Sequence, residues 1–334
     1  MQRETELKNW LAQRYPEQTF KLNFAAADAD FRRYFRAVFA DGNTVICMDA
    51  PPDKMSIVPY IRVQQLFHMV NVPKIYHADA EHGFMALSDL GSTPYLAALQ
   101  HDSRLEVHKA LLLEAIDELI VLQQASEPDR LPEYDETVLR REMQLFPEWF
   151  VAKELGKSFT LKQQQSWQQT LNALLPVITA QAKVYVHRDF IVRNLMLTRE
   201  RPGILDFQDA LYGPITYDLV SLLRDAFLEW EEEFVLDLVI RYWEKARAAK
   251  LPVPADFDAF YRDFELMGVQ RHLKVAGIFA RLHHRDGKSK YRSEISRFLN
   301  YLRRAARRYT ALAPLYGLLV ELVGDEELQS GFTF

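Results

Sequence analysis

Two rhythms of apolar and polar residues divide the chain. Before residue 88 a period of two recurs. Phe20, Leu22 and Phe24 alternate with polar residues, and segments 31–40 and 44–49 flank Asp41-Gly42-Asn43, which predicts a hairpin. Two more short strands are predicted over 74–78 and 84–87, around Glu81-His82-Gly83. Leu7, Trp10 and Leu11 stand at helical spacing and predict an opening helix over 4–14. Ser56 is placed to cap a helix carrying Ile57, Tyr60, Ile61, Phe67 and Val70. Beyond Thr93 the period lengthens to that of helices, over 104–124, 135–155, 161–181, 216–226, 232–249, 256–284, 292–309 and 312–322. Proline-containing turns at Pro132, Pro252-Val253-Pro254 and Pro314 separate several of them. The pattern predicts an α+β fold in two lobes. The N-lobe, 1–88, holds a five-stranded antiparallel sheet and a helix; 88–94 forms a hinge; 95–334 is a mainly helical C-lobe.

The helical rhythm is interrupted over 185–225. Val184 and Val186 lead into His187-Arg188-Asp189, a second apolar strand follows Asn194, and a third, Ile204-Leu205, ends in Asp206. Buried strands with polar ends present side chains from a rigid support. Asp189 with Asn194 completes the kinase pattern H-R-D-x-x-x-x-N, and Asp206-Phe207-Gln208 stands where kinases carry D-F-G. That chemistry assigns Asp189 to the attacking hydroxyl, and Asn194 and Asp206 to Mg²⁺ held against ATP, since hard oxygen ligands suit that ion. Asp209 either bonds a substrate hydroxyl or caps the next turn. Arg188 and Arg193 flank the catalytic carboxylate, where guanidinium forks suit phosphate or substrate oxygen, or else a local ion pair. His187 and Asp218 read as structural braces.

Composition narrows the class. The 334 residues carry 41 basic and 46 acidic side chains, a net charge of −5, which argues against a nucleic-acid binder. Hydrophobic content of 49% is ample for a core. Cys47 is the single cysteine, so an intrachain disulfide and a cysteine zinc cluster are excluded. The charged start and the absence of a long apolar run predict a soluble cytoplasmic protein without a membrane partner.

These motifs resemble the aminoglycoside phosphotransferase family, which has a protein-kinase-like fold. The resemblance runs over nearly the whole chain. It is carried by residues 27–36, Met48-Asp49-Ala50-Pro51-Pro52, Leu87-Ser88-Asp89-Leu90-Gly91, residues 205–210 and 213–223, Gln270-Arg271-His272-Leu273-Lys274, and 278–288. Within that family it is most similar to the anomeric amino-sugar kinases of bacterial cell-wall recycling. The resemblance implies transfer of the ATP γ-phosphate to the C1 hydroxyl of N-acetylmuramate or N-acetylglucosamine, with nucleotide contacts from the 88–90 hinge at Ser88, Asp89 and Leu90. A kinase for an aminoglycoside or choline, and a nucleotide-binding pseudokinase, remain as alternatives.

Two departures support the pseudokinase alternative. Met48 stands where kinases carry the third-strand lysine, and the 56–70 helix has no acidic residue to pair with one. Both halves of the ion pair are absent together, which points to a different phosphate clamp. Arg32 and Arg33, beside the small-residue loop 25–30, are the candidates, with Lys54 a weaker one. Arg271, Lys274 and Arg281 recur near one face of the 256–284 helix, with His272 alongside. They read as an anion-binding wall for the lactyl carboxylate of N-acetylmuramate, or as a solvated face. The acidic runs 231–233 and 325–327 are either the counterparts a cationic substrate would use or solvated surface.

Overall fold

The computed structural model describes residues 2–27 and 31–326. Two compact units form, Met1–Ala125 with Arg193–Ala210, and Ser126–Val192 with Leu211–Phe334. The division does not fall at 88–94: two further helices and the metal-motif segment 193–210 belong with the sheet. The small antiparallel sheet and mostly helical remainder make this an α+β fold. Among the described residues no helix is long and apolar enough to cross a membrane.

The first unit opens with α1 (Gln2–Arg14), followed by β1 (Phe20–Ala27), β2 (Arg33–Phe39), β3 (Thr44–Asp49), α2 (Val58–Leu66), β4 (Ile75–Asp79), β5 (Phe84–Ser88), α3 (Tyr95–His101) and α4 (Leu105–Gln124). The sheet order is β1-β2-β3-β5-β4, antiparallel throughout. Gly42, at φ +86, closes the β2–β3 hairpin, where Phe39 N–H donates to the Asn43 carbonyl. Side chains alternate across the strands. Phe35, Ala37, Phe39, Val45, Cys47, Phe84 and Ala86 point to one face and bury Leu7, Trp10 and Leu11 of α1. Burial there pushes the Cys47 thiol up to about 12. Residues 28–30 of the small-residue loop lie outside the described residues.

The predicted 56–70 helix is shorter, and Ile57 occupies its N-cap. Ser56 Oγ accepts from Val58 N–H without becoming the cap residue.

The second unit holds α5 (Glu136–Met143), a π-helical stretch (Phe146–Glu154), α6 (Leu161–Thr179), α7 (Tyr217–Leu223), α8 (Glu232–Ala248), α9 (Phe257–His284), α10 (Ile295–Arg308) and α11 (Ala313–Val323). The single helix expected over 135–155 is broken because Pro147 has no N–H to donate and crowds the preceding turn, so the hydrogen-bond spacing changes. α9 crosses at this point. A Cβ at Gly277 would lie 2.4 Å from the Leu145 carbonyl carbon, so glycine is required for the approach. Within the acidic runs, Glu232 pairs with Arg224 and Arg308, and Asp325 with Arg307. Glu327 lies outside the described residues.

Candidate active site

Strand Lys183–Val186 pairs with Leu211–Pro214 and delivers the buried His187 to the head of a loop. α7 holds that loop by its backbone. Asp218, buried on α7, accepts the N–H of His187 at 2.6 Å and of Arg188 at 3.0 Å. Asp225, just past α7, accepts the N–H of Val192 at 3.2 Å and of Phe227 at 2.7 Å. Burial pushes the Asp218 carboxyl up to about 7, against the pull of those N–H groups and of the nearby Arg271. Asp225 is raised for the same first reason. His187 Nδ1 accepts from the N–H of Asp189 at 3.2 Å, so its proton sits on Nε2. Asp218 and Asp225 therefore grip the loop, one at each end, and Asp189 between the gripped residues is exposed.

Arg188 has φ +77, in the left-handed region. Its guanidinium turns inward and bonds Glu142 Oε1 at 2.5 Å. Glu142, buried on α5, also receives Lys274 at 3.0 Å, Gln270 Nε2 at 3.2 Å and the Tyr134 hydroxyl. Burial works against its charge, but Lys274, then Arg188 and Tyr134, outweigh it and hold the carboxyl at about 2.

Arg271, His272 and Lys274 of α9 are buried, which overturns the solvated-face reading for these three residues. Lys274 bonds the Tyr217 hydroxyl at 2.9 Å as well as Glu142. Arg271 is buried beside Asp218 and Asp225 and donates to the Arg224 carbonyl at 3.3 Å. His272 is buried between Phe298 and Tyr301, and burial, then Arg224 and Arg271, hold it uncharged. Arg281 is half-buried farther along α9.

In the first unit, short strands Leu195–Met196 and Gly203–Ile204 pair with each other and end at Asn194 and Leu205. Leu205 N–H donates to the Asn194 carbonyl at 2.9 Å. Asp206 takes φ +66, and its Oδ2 lies 3.5 Å from Asn194 Nδ2. Its Oδ1 accepts from Arg32 at 3.0 Å and from Gln208 Nε2 at 2.9 Å. Phe207 is buried, 4.5 Å between ring centroids from Tyr60 of α2. An amide and a carboxylate held together are a donor set that fits a hard divalent cation. Non-glycine residues in the left-handed region cost free energy, and such positions cluster where geometry is functional. Arg188 and Asp206 are two of four among the described residues; Asp129 and Lys250 are the others.

Strand parity separates the two candidate clamps. Arg33 lies on the α1 face, where it and Arg3 both bond the buried Asp49, at 2.5 and 2.6 Å. Arg32, one position earlier, lies on the opposite face with Asp206. Arg33 is therefore not brought to the metal-motif carboxylate. Met48 is buried and cross-strand from Tyr34 and Met85. Asp89 is committed to Arg36, at 2.6 and 3.0 Å, and to the Gly91 N–H. Ser88 is bonded to Lys74 through both N–H and hydroxyl. Leu90 is half-buried, with its Cδ1 against Gly203. Arg193 and Asp209 are exposed.

Sequence reasoning missed Glu142, Asp225 and Gln208. The signal for Glu142 was an acid on the apolar stripe of Leu139, Met143 and Phe146. For Asp225 it was an acid seven residues after Asp218 in an apolar run.

These motifs, with an antiparallel five-stranded unit and a helical one, are the components of a kinase-like phosphotransferase. The chain belongs to the phosphotransferase enzyme family, whose profile matches residues 21–251. It is 72% identical to an N-acetylmuramate/N-acetylglucosamine kinase of Neisseria meningitidis over 334 residues, the full length of both. A relative of the same description from Pseudomonas putida is 46% identical, over 90% of this chain and 88% of the relative. Among solved structures, an ADP-bound aminoglycoside phosphotransferase aligns with a TM-score of 0.59 at 15% identity, over 93% of this chain and 98% of the other. A choline kinase from Cryptosporidium parvum aligns with 0.61 at 14%, over 94% and 99%. At those identities the likeness is one of fold.

Proposed function

We propose that this chain is a cytoplasmic, ATP-dependent kinase that phosphorylates the C1 hydroxyl of N-acetylmuramate and N-acetylglucosamine in peptidoglycan recycling. The observation that carries the reading is full-length identity of 72% to a kinase described by those two sugars. The exposed Asp189 on a braced loop supports it. In this reading Asp189 accepts the proton of the sugar hydroxyl as its oxygen bonds the γ-phosphorus and the bond to the β-phosphate oxygen breaks. Asn194 and Asp206 would hold magnesium, which would supply positive charge to offset that of the phosphates. Arg32 is the phosphate clamp in place of the absent third-strand lysine, reaching from the Asp206 side of the sheet. Arg193 and Asp209, both exposed, are the sugar contacts. Backbone groups at 88–90 meet the nucleotide base, since the Asp89 carboxylate is held by Arg36.

The test is ATP turnover across a panel of N-acetylated amino sugars, aminoglycosides and choline, with product identified by phosphorus NMR. The expected product is a sugar 1-phosphate, and Asp189→Ala is expected to lower kcat by about three orders of magnitude or more with the fold intact. Turnover of cations alone, or nucleotide binding without turnover of any acceptor, overturns the reading.

A further inference from the structure

Arg188 sits one residue before Asp189, and its side chain is the less accessible of the two. Its backbone is left-handed, a conformation that a Cβ disfavours by roughly tenfold. Three partners hold it there. The Asp218 carboxylate takes its N–H and that of His187. Glu142 takes its guanidinium, which also lies 5.7 Å over the Tyr134 ring. Glu142 is itself fixed by Tyr134, Gln270 and Lys274. The side chain is thus drawn inward while the next residue, Asp189, faces solvent.

We propose that Glu142 is a positioning residue that sets how Asp189 is presented, acting through Arg188, which contacts neither phosphate nor sugar. The proposal rests on the kinase reading for what Asp189 does; the geometry of the hold does not. Its physical content is leverage. A guanidinium anchored in a buried carboxylate selects the left-handed backbone at 188, and that turn directs the following side chain outward. Lys274 shares the same carboxylate, so deleting Glu142 would leave the buried Lys274 and the part-buried Arg188 without their common counter-charge.

Arg188→Ala and Arg188→Gly separate positioning from ligand contact. Both remove the guanidinium, and both leave the Glu142–Lys274 pair. Glycine adopts the left-handed backbone unaided; alanine does not. The expected result is a kcat about tenfold or more below wild type for R188A and several-fold higher for R188G than for R188A. KM for ATP and sugar should stay within about twofold in both. Glu142→Gln should lower kcat in the wild-type background and by less than about twofold further in R188G. Hydrogen exchange of the 187–188 amides reads the same hold without turnover and should speed up in R188A but not in R188G. If R188A and R188G are equally impaired with raised KM, Arg188 touches a substrate and the proposal fails. Unimpaired R188A, or a full E142Q loss on top of R188G, also overturns it. If wild-type protein phosphorylates no amino sugar, the proposed function falls, while the exchange comparison still decides the positioning role.

Discussion

Replacing Arg32 and Arg33 one at a time by methionine asks whether strand parity has assigned the phosphate clamp correctly. The two arginines are adjacent, equally charged and indistinguishable by composition. Arg32 is 6% exposed and lies 3.0 Å from Asp206 Oδ1; Arg33 is 36% exposed and lies on the α1 face with Asp49. A hydrogen bond between charged groups contributes about 1.5–3 kcal/mol, or roughly 10- to 150-fold in an equilibrium constant. If Arg32 bonds nucleotide phosphate in the loaded enzyme, R32M should raise the Kd for Mg–ADP or Mg–ATP by about tenfold or more. R33M should shift that Kd by less than about twofold. Its cost is to stability, about 1 kcal/mol or less, because the pair is part-exposed and Arg3 continues to hold Asp49. Titration calorimetry gives the Kd, and thermal unfolding of the same samples gives the stability. Equal weakening of nucleotide by both variants would refute the parity argument. Tighter binding by R32M would show that Arg32 competes with magnesium for Asp206 and does not serve the phosphates.

Gly277→Ala should destabilise by about 1–3 kcal/mol in urea unfolding, because a Cβ there would lie 2.4 Å from the Leu145 carbonyl carbon and 2.5 Å from its oxygen, backbone that cannot swing aside; an unchanged midpoint would mean that α9 has room to shift. Glu142 is held at about 2, below its ordinary 4.5, so its contribution of about 3 kcal/mol is present above pH 4.5 and is lost as pH falls through about 2. Denaturant titrations from pH 5 to 2 should show that loss in wild type and a flatter profile in E142Q. Asp225→Asn leaves one acceptor for two backbone N–H groups, at Val192 and Phe227, and should cost about 1–3 kcal/mol with a several-fold fall in kcat. Wild-type kcat in that variant would show that the far end of the loop needs no brace.

The sheet, most of the helices and the order of the motifs were legible because each rests on local spacing. Alternation at Phe20, Leu22 and Phe24, and Asp41-Gly42-Asn43, defines strands without knowledge of any partner. The family resemblance added the substrate class, which no spacing carries. What spacing does not carry is which way a face points. Arg271 and Lys274 share a face of α9, and nothing local says that it turns inward. Their counter-charges, Glu142, Asp218 and Asp225, lie dozens of residues away in sequence. The same limit applied to Arg32 and Arg33: alternation separates them, but only the packed sheet says which one meets Asp206. The break before Phe146 was legible in Pro147 and was overridden by the apolar period around it.

Cys47 has a practical consequence. Its thiol is buried under α1 and pushed up to about 12, so at neutral pH it presents almost no thiolate to a reagent. A maleimide dye should leave the native chain unmarked. A cysteine introduced at the exposed Phe31 would then be labelled alone, with no need to mutate the native thiol away.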